Sequence, residues 1–290
     1  MIWPWKRKRE EPPSPPVAAC GAPVARLATD VGCVRELNED SGRVVEAGAG
    51  KHGERGLLVV VADGMGGHQA GEVASQTAVE TIASVYPQAK GTPAEALEEA
   101  FRQAHQAIFR LAKSDNAMLG MGTTCTALAI VGGAAIAVHV GDSRLYLWRA
   151  GSLYQLSEDH TQCMEMVRRG LLTLEEARRH EDRNVLVRAM GTRQELTPMT
   201  WPEPMPVRPG DRFVLCSDGL HDRVPDDDIA AVVAVTTPEE ACSKLVEMAR
   251  QRGGYDNITV AVVAIPPSES VPLILKETRQ APVTPAEVTG

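Results

Sequence analysis

At 290 residues and 31.1 kDa the chain can bury a substantial core, as one large domain or two small ones. Apolar residues at 43% and charged residues at 23% exclude disordered and collagen-like classes. A net charge of −8 excludes a general attraction to nucleic acid phosphates, which needs a clustered positive surface.

The chain opens with MIWPWKRKREEPPSPP, whose prolines and mixed charges predict a flexible tail over residues 1–22. Next come apolar or β-branched runs bounded by Gly or Asp, which predict strands at 57–63, 124–131, 134–142 and 144–151. Gly132-Gly133 between two of these predicts a hairpin turn. Helical spacing of Ala, Leu, Glu and Gln predicts helices over 71–86, 94–113 and 238–252, with Asp and Thr placed to cap them. Residues 161–190 break the strand rhythm and predict two short helices joined at Gly170, then a third segment, inserted over a sheet edge. Strands return at 212–218 and 257–265, and residues 267–290 predict a second tail. Hairpin strands outnumber strand–helix alternations, so the expected architecture is antiparallel sheets covered by helices.

The six cysteines are scattered with no CxxC pair, the pattern of reduced thiols. The sequence has neither a run of ~18 to 20 apolar residues nor the apolar core of a secretory signal, so a cytoplasmic protein without a membrane span is expected. With no coiled-coil pattern, a monomer is the expected state.

Acidic residues stand where apolar strands end: Asp63 after LLVVVA, Asp142 after AIAVHVG, Asp218 after FVLCS, and Asp256 before NITVAVV. A single Asp at such a place is more often a turn-former or helix cap than a ligand. Several carboxylates buried together are costly unless something positive holds them, so converging strand ends invite a metal cluster. The glycines of Asp63-Gly64-Met65-Gly66-Gly67-His68 let the backbone approach an ion and offer a carbonyl, although a plain turn would read the same way. All-oxygen donors suit Mg²⁺ or Mn²⁺ better than structural Zn²⁺. Two such ions about 3.5 to 4 Å apart can activate a bridging water for in-line attack on phosphorus. Arg35, upstream of Asn38-Glu39-Asp40, offers the planar fork that grips phosphate; alone, it would more often pair with Glu36 or Glu39.

With these residues in order, the sequence resembles the bacterial branch of the metal-dependent protein phosphatases of the 2C type. GCVRELNED, VVADGMGGHQAGEVAS, GMGTTCTAL, VGDSRLYLWRAG, LSEDHT, NVLVRAMG, LCSDGLHD and GGYDN carry the resemblance over about residues 24–265. It implies an α+β fold, an αββα sandwich of two central antiparallel sheets flanked by helices, in a domain over 23–266 with a small helical flap at about 161–190. It further implies hydrolysis of phosphoserine and phosphothreonine on proteins by a water bridging two divalent ions, Mn²⁺ or Mg²⁺. Asp63 would bridge the ions, the Gly64 carbonyl would bind one, and Asp218 and Asp256 would complete the pair. Asp142 and Asp222 would join Asp218 at a third, weaker position. Glu39 and Asp40 would act through water held by the ions, and Arg35 would bind the substrate phosphate. The implied partners are phosphorylated proteins and an opposing bacterial Ser/Thr kinase, in signal transduction. Met65 stands where animal members carry a histidine proposed as general acid; His68 is the alternative donor, a structural role being at least as reasonable.

Two other classes compete with this one. A pseudophosphatase would have lost metal carboxylates, and Asp63, Asp142, Asp218, Asp222 and Asp256 are all in place. A nuclease groove would want basic clusters and aromatic stacking platforms, whereas aromatics are only 4% here.

Overall fold

A computed structural model describes residues 20–46, 49–50, 53–66, 70–201 and 203–268. The predicted tails, apart from residues 20–22 and 267–268, lie outside the described residues, as does His68. In chain order the strands are β1 (Val24–Asp30), β2 (Asp40–Val45), β3 (Ala49–Gly50), β4 (Gly53–Glu54), β5 (Leu57–Met65), β6 (Gly122–Thr123), β7 (Cys125–Val131), β8 (Ala134–Val140), β9 (Arg144–Arg149), β10 (Ser152–Gln155), β11 (Met199–Thr200), β12 (Met205–Pro206), β13 (Arg212–Cys216) and β14 (Ile258–Ala264). The helices are α1 (Ala70–Val85), α2 (Pro93–Ser114), α3 (Gln162–Arg168), α4 (Leu174–Arg179), α5 (Asp218–His221), α6 (Asp226–Val235) and α7 (Pro238–Gln251).

Two antiparallel sheets form the centre. One has the order β1-β14-β13-β9-β10; the other runs β11-β8-β7-β5-β2, with β12 on β8 and β6 on β5. Strand alternation builds four layers from this pair. Leu58, Val60 and Ala62 of β5 face α1 and α2, while Leu57, Val59 and Val61 face the opposite sheet. In β13, Phe213 and Leu215 turn inward, and Val214 and Cys216 pack against α6 and α7. A period of two places every second side chain on the same face, so an apolar run without polar breaks is what a strand buried on both faces requires. The expected sandwich of two sheets flanked by helices is therefore the observed one.

Local chemistry explains the boundaries. Thr92 and Thr237 cap α2 and α7 in reciprocal pairs with Glu95 and Glu240, each followed by proline at the first helical position. Gly132 and Gly133 take φ of 56° and 80°, the left-handed pair that a two-residue hairpin between β7 and β8 needs. The predicted insertion resolves into α3 and α4 with Gly170 between them, and its last segment is tied down by bridges from Thr161 to Leu186 and from Thr123 to Met190. Pairing begins three residues before the predicted boundary at 23, for Cys20 bridges to Pro267 and Gly21 N donates to Pro266 O at 2.8 Å. Among the described residues no helix is long and apolar enough to cross a membrane, and all six cysteines are free thiols.

Candidate metal centre

Strand register brings the predicted carboxylates to one end of the sandwich. In one sheet Asp40, the first residue of β2, sits directly opposite Asp63 near the end of β5, and β7 and β8 meet there as Cys125 against Val140, two residues before Asp142. In the other, Cys216 pairs with both Arg144 and Val260, which sets Asp218 just past β13 and Asp256 just before β14 on the same edge. Like charges directly across an antiparallel pair are destabilising, so Asp40 and Asp63 demand a counter-charge.

The electrostatics agree. Burial first, and then repulsion from Asp40, Asp218, Asp142 and Asp256, holds Asp63 well above the usual carboxylate range. Burial, followed by Asp142, Asp256 and Asp222, does the same to Asp218. Asp40 and Asp142 are each pushed up to about 7, again chiefly by burial. Glu39 is raised by burial although Arg35 opposes the shift. Among the described residues no Lys or Arg makes an ion pair with Asp63, Asp142 or Asp218. The nearby Arg144 is already committed, donating to both oxygens of Asp159 and to Tyr146.

The supporting shell is built from main chain and small hydroxyls. Thr124 Oγ1 receives Asp63 N at 3.0 Å, and Asp63 O receives Thr124 N at 2.8 Å. Ser217 Oγ donates to Asp40 Oδ2 at 2.7 Å while accepting Thr259 N at 3.0 Å. The Asn257 amide closes the 31–37 loop, donating to Val31 O and Leu37 O at 2.9 Å each and accepting Glu39 N at 2.7 Å. A Cβ on Gly64 would stand 2.0 Å from Gly71 O, so only glycine lets β5 pass that close to the start of α1. Ser217, Asn257, Thr124 and Thr259 carry no functional signal of their own in the sequence. The only signal for Ser217 and Asn257 was adjacency to Asp218 and Asp256.

The donors test well against a divalent cation. Glu39 Oε1, Asp40 Oδ1 and Asp218 Oδ1 are buried oxygens without any hydrogen-bond partner, an arrangement that is costly unless a cation or its hydration shell meets them. Every donor is an oxygen, as hard cations prefer. Among the described residues no three His, Cys, Asp or Glu side chains already form a finished metal cage. The shared edge of the two sheets nonetheless defines which residues would close on an ion: Asp63, Asp142, Asp218 and Asp256.

Arg35 lies at the rim with its side chain 47% exposed, donating to Asp256 Oδ2 at 2.8 Å and standing 4.0 Å from Glu39. Asp256 is thus the principal partner, ahead of the Glu36 or Glu39 expected of an isolated arginine. Asp222 stands at the other side, 3.4 Å from Arg183 Nη2 and 3.4 Å from Asn184 Nδ2, both from the inserted segment. A cleft of about 650 Å³ opens there between that segment and the start of α6, lined by Asp142, His221, Asp222 and Arg183, while Asp63 and Arg35 lie outside it. His160 and His221 are both interior. His160 Nδ1 accepts Gly141 N, and His221 Nε2 meets Asp142 O at 3.0 Å.

The sequence matches the Protein phosphatase 2C family over residues 36–251. It is 41% identical over 239 residues to the serine/threonine protein phosphatase PstP of Mycobacterium tuberculosis, a match covering 82% of this chain and 44% of that protein. The chain therefore spans less than half the length of this relative. It is 35% identical over 245 residues to the serine/threonine phosphatase stp of Listeria monocytogenes, covering 82% of this chain and 94% of that one. In three dimensions it resembles the catalytic domain of the serine threonine protein phosphatase PstP in complex with two manganese ions, with a TM-score of 0.73 and 37% identity over 84% of this chain and 98% of the other.

Proposed function

The chain belongs to the protein phosphatase 2C family, and from that membership we propose that it hydrolyses phosphoserine and phosphothreonine on proteins with the help of divalent metal ions. The observation that carries the reading is the convergence of buried, unneutralised carboxylates at one edge of both sheets, with Asp40 Oδ1 and Asp218 Oδ1 left without a partner. Asp63, the Gly64 carbonyl, Asp218 and Asp256 would hold two ions, with Asp142 and Asp222 joining Asp218 at a third. Mn²⁺ and Mg²⁺ both suit this donor set. When bound, the ions supply an acidified water and stabilise charge during in-line attack on phosphorus.

The chain's own residues supply the rest. Arg35 spends one N–H on Asp256 Oδ2 and keeps the remainder of its fork for phosphate oxygens, at a rim a phosphorylated side chain can reach. Asp40, fixed through Oδ2 by Ser217, keeps Oδ1 free to orient water held by the ions, as Glu39 does through Oε1. The inserted segment closes over Asp222 and forms one wall of the approach, where it can select among substrates. We infer a monomeric, cytoplasmic signalling enzyme that opposes a Ser/Thr kinase.

The test is hydrolysis of p-nitrophenyl phosphate and of a phosphothreonine peptide with EDTA, Mg²⁺ or Mn²⁺, beside Asp63→Asn and Asp218→Asn. Turnover that needs the metal and drops more than about 100-fold in both folded variants is expected. A wild-type protein inactive with every metal, yet binding phosphoprotein, would replace the enzyme reading with a pseudophosphatase.

A further inference from the structure

Three histidines clamp one short stretch of main chain, and one of them, His221, is left with a buried ring nitrogen that has no hydrogen-bond partner. His139 Nε2 lies 3.0 Å from Gly141 O, and its Nδ1 lies 2.8 Å from Thr126 Oγ1, so both ring nitrogens are engaged. His160 ties the same glycine from the other side, with Nδ1 accepting Gly141 N at 3.1 Å and its own N donating to Gly141 O at 2.8 Å. His221 holds the next residue through Nε2, 3.0 Å from Asp142 O. A carbonyl can only accept, so this nitrogen carries the proton and Nδ1 of the neutral ring is an acceptor. That Nδ1 is buried and has no hydrogen-bond partner. It faces Asp222 Oδ1 at 3.6 Å, an acceptor set against an acceptor at a distance too long for a hydrogen bond.

The pairing makes sense if a donor comes between or beside the two. The neighbouring Asp218 Oδ1 is likewise buried and unsatisfied, and Asp142, Asp218 and Asp222 repel one another across the same space. Water coordinated to a cation is a strong donor that satisfies carboxylate and imidazole lone pairs at once. We propose that His221 is a positioning residue for the third cation: its Nε2–H fixes the Asp142 main chain, and its Nδ1 accepts a hydrogen bond from the hydration shell of an ion held by Asp142, Asp218 and Asp222. The proposal rests on the third position of the metal-dependent phosphatase reading. His221 thereby ties the loop after β8 to the first turn after β13, linking two ligands that 80 residues of sequence separate.

Glutamine and leucine divide the two halves of this role. In His221→Gln the amide nitrogen reaches where Nε2 sits and keeps the bond to Asp142 O, but nothing replaces the Nδ1 acceptor. His221→Leu removes both. The full chain is titrated with Mn²⁺ by calorimetry, with thermal unfolding of the metal-free forms alongside. Histidine ¹⁵N spectra are recorded with diamagnetic Mg²⁺. The expected result is wild-type affinity for two ions in His221→Gln, an affinity for the third about 10-fold weaker, and an unchanged unfolding midpoint. His221→Leu loses the third ion and melts lower. In the wild type, Mg²⁺ shifts the His221 Nδ1 resonance while Nε2 keeps its proton. Unaltered third-ion affinity in His221→Gln, equal weakening at all three positions, or an Nδ1 resonance that Mg²⁺ leaves in place would overturn the proposal. A wild-type protein that takes up only two ions would remove the third position itself and leave the two-ion phosphatase standing, whereas uptake of none would fell the parent reading.

Discussion

Ser217 places one oxygen between a buried carboxylate and a buried main-chain N–H, and both would be stranded without it. Ser217→Ala should therefore cost about 1 to 3 kcal/mol in urea unfolding and lower turnover by releasing Asp40. Wild-type stability and rate in that variant would mean that water takes over the hydroxyl's place. His139 gives a pH signature at the same scale. It is 2% exposed, and burial holds its pKa down to about 4, while Asp159 and Glu158 nearby pull the other way. The unfolded chain takes up the proton near pH 6.5, so stability is whole above that value and declines as the pH falls toward 4. Between pH 7 and pH 5 the loss from His139 is about 2 kcal/mol. The raised carboxylates titrate with the opposite sign, so the slope is best read as wild type minus His139→Gln in EDTA; equal slopes would sink the assignment. The acids were legible because each ends an apolar run, where a charge stands out. Their supports were not: Ser217 meets Asp40 across 177 residues and Asn257 meets Glu39 across 218, contacts that only the fold creates.

At the scale of elements, β7 shows how one strand serves two cores. Leu128 and Ile130 enter the layer between the sheets, and Ala127 and Ala129 lie against the helices, small where α1 and α2 press close. Leu128→Ala should cost about 2 to 5 kcal/mol in a urea titration, because packed strands on both sides cannot collapse into the gap. Val235→Ala, at a residue 80% exposed, should stay within about 0.5 kcal/mol. A mild Leu128 effect would mean that the inter-sheet layer relaxes freely. Continuous apolar strands and threonines placed to cap helices could be read directly. The helix α6 could not, since DDDIAAVVAV lacks a polar face and its burial is set by α7 and the sheet behind it. Nor did β1 announce itself, because VARLATD is half-exposed and owes its place to pairing with β14, 228 to 240 residues on.

For the whole molecule, concentrated negative charge at one edge makes stability depend on cations. An ion that binds the folded form alone adds about 2.7 kcal/mol at a hundredfold excess over its Kd. For a chain of this size each kcal/mol moves the unfolding midpoint by about 2 to 4 °C. Mn²⁺ should therefore raise the midpoint by several degrees, EDTA should reverse the gain, and Asp63→Asn should blunt it. A midpoint indifferent to Mn²⁺ in the wild type would mean that the carboxylates hold no ion.

The side-by-side entry and exit of the chain at Cys20 and Pro267 has a mechanical meaning. Along β1 and β14 that junction lies at the Val24 and Ala264 end, a strand length of roughly 20 Å from the Asp30 and Ile258 end beside Asp256. The sandwich is gripped at one pole and open at the other. A leash, carrier or solid support attached at either end of the domain would hold it by the handle and leave the mouth turned outward toward whatever drifts past.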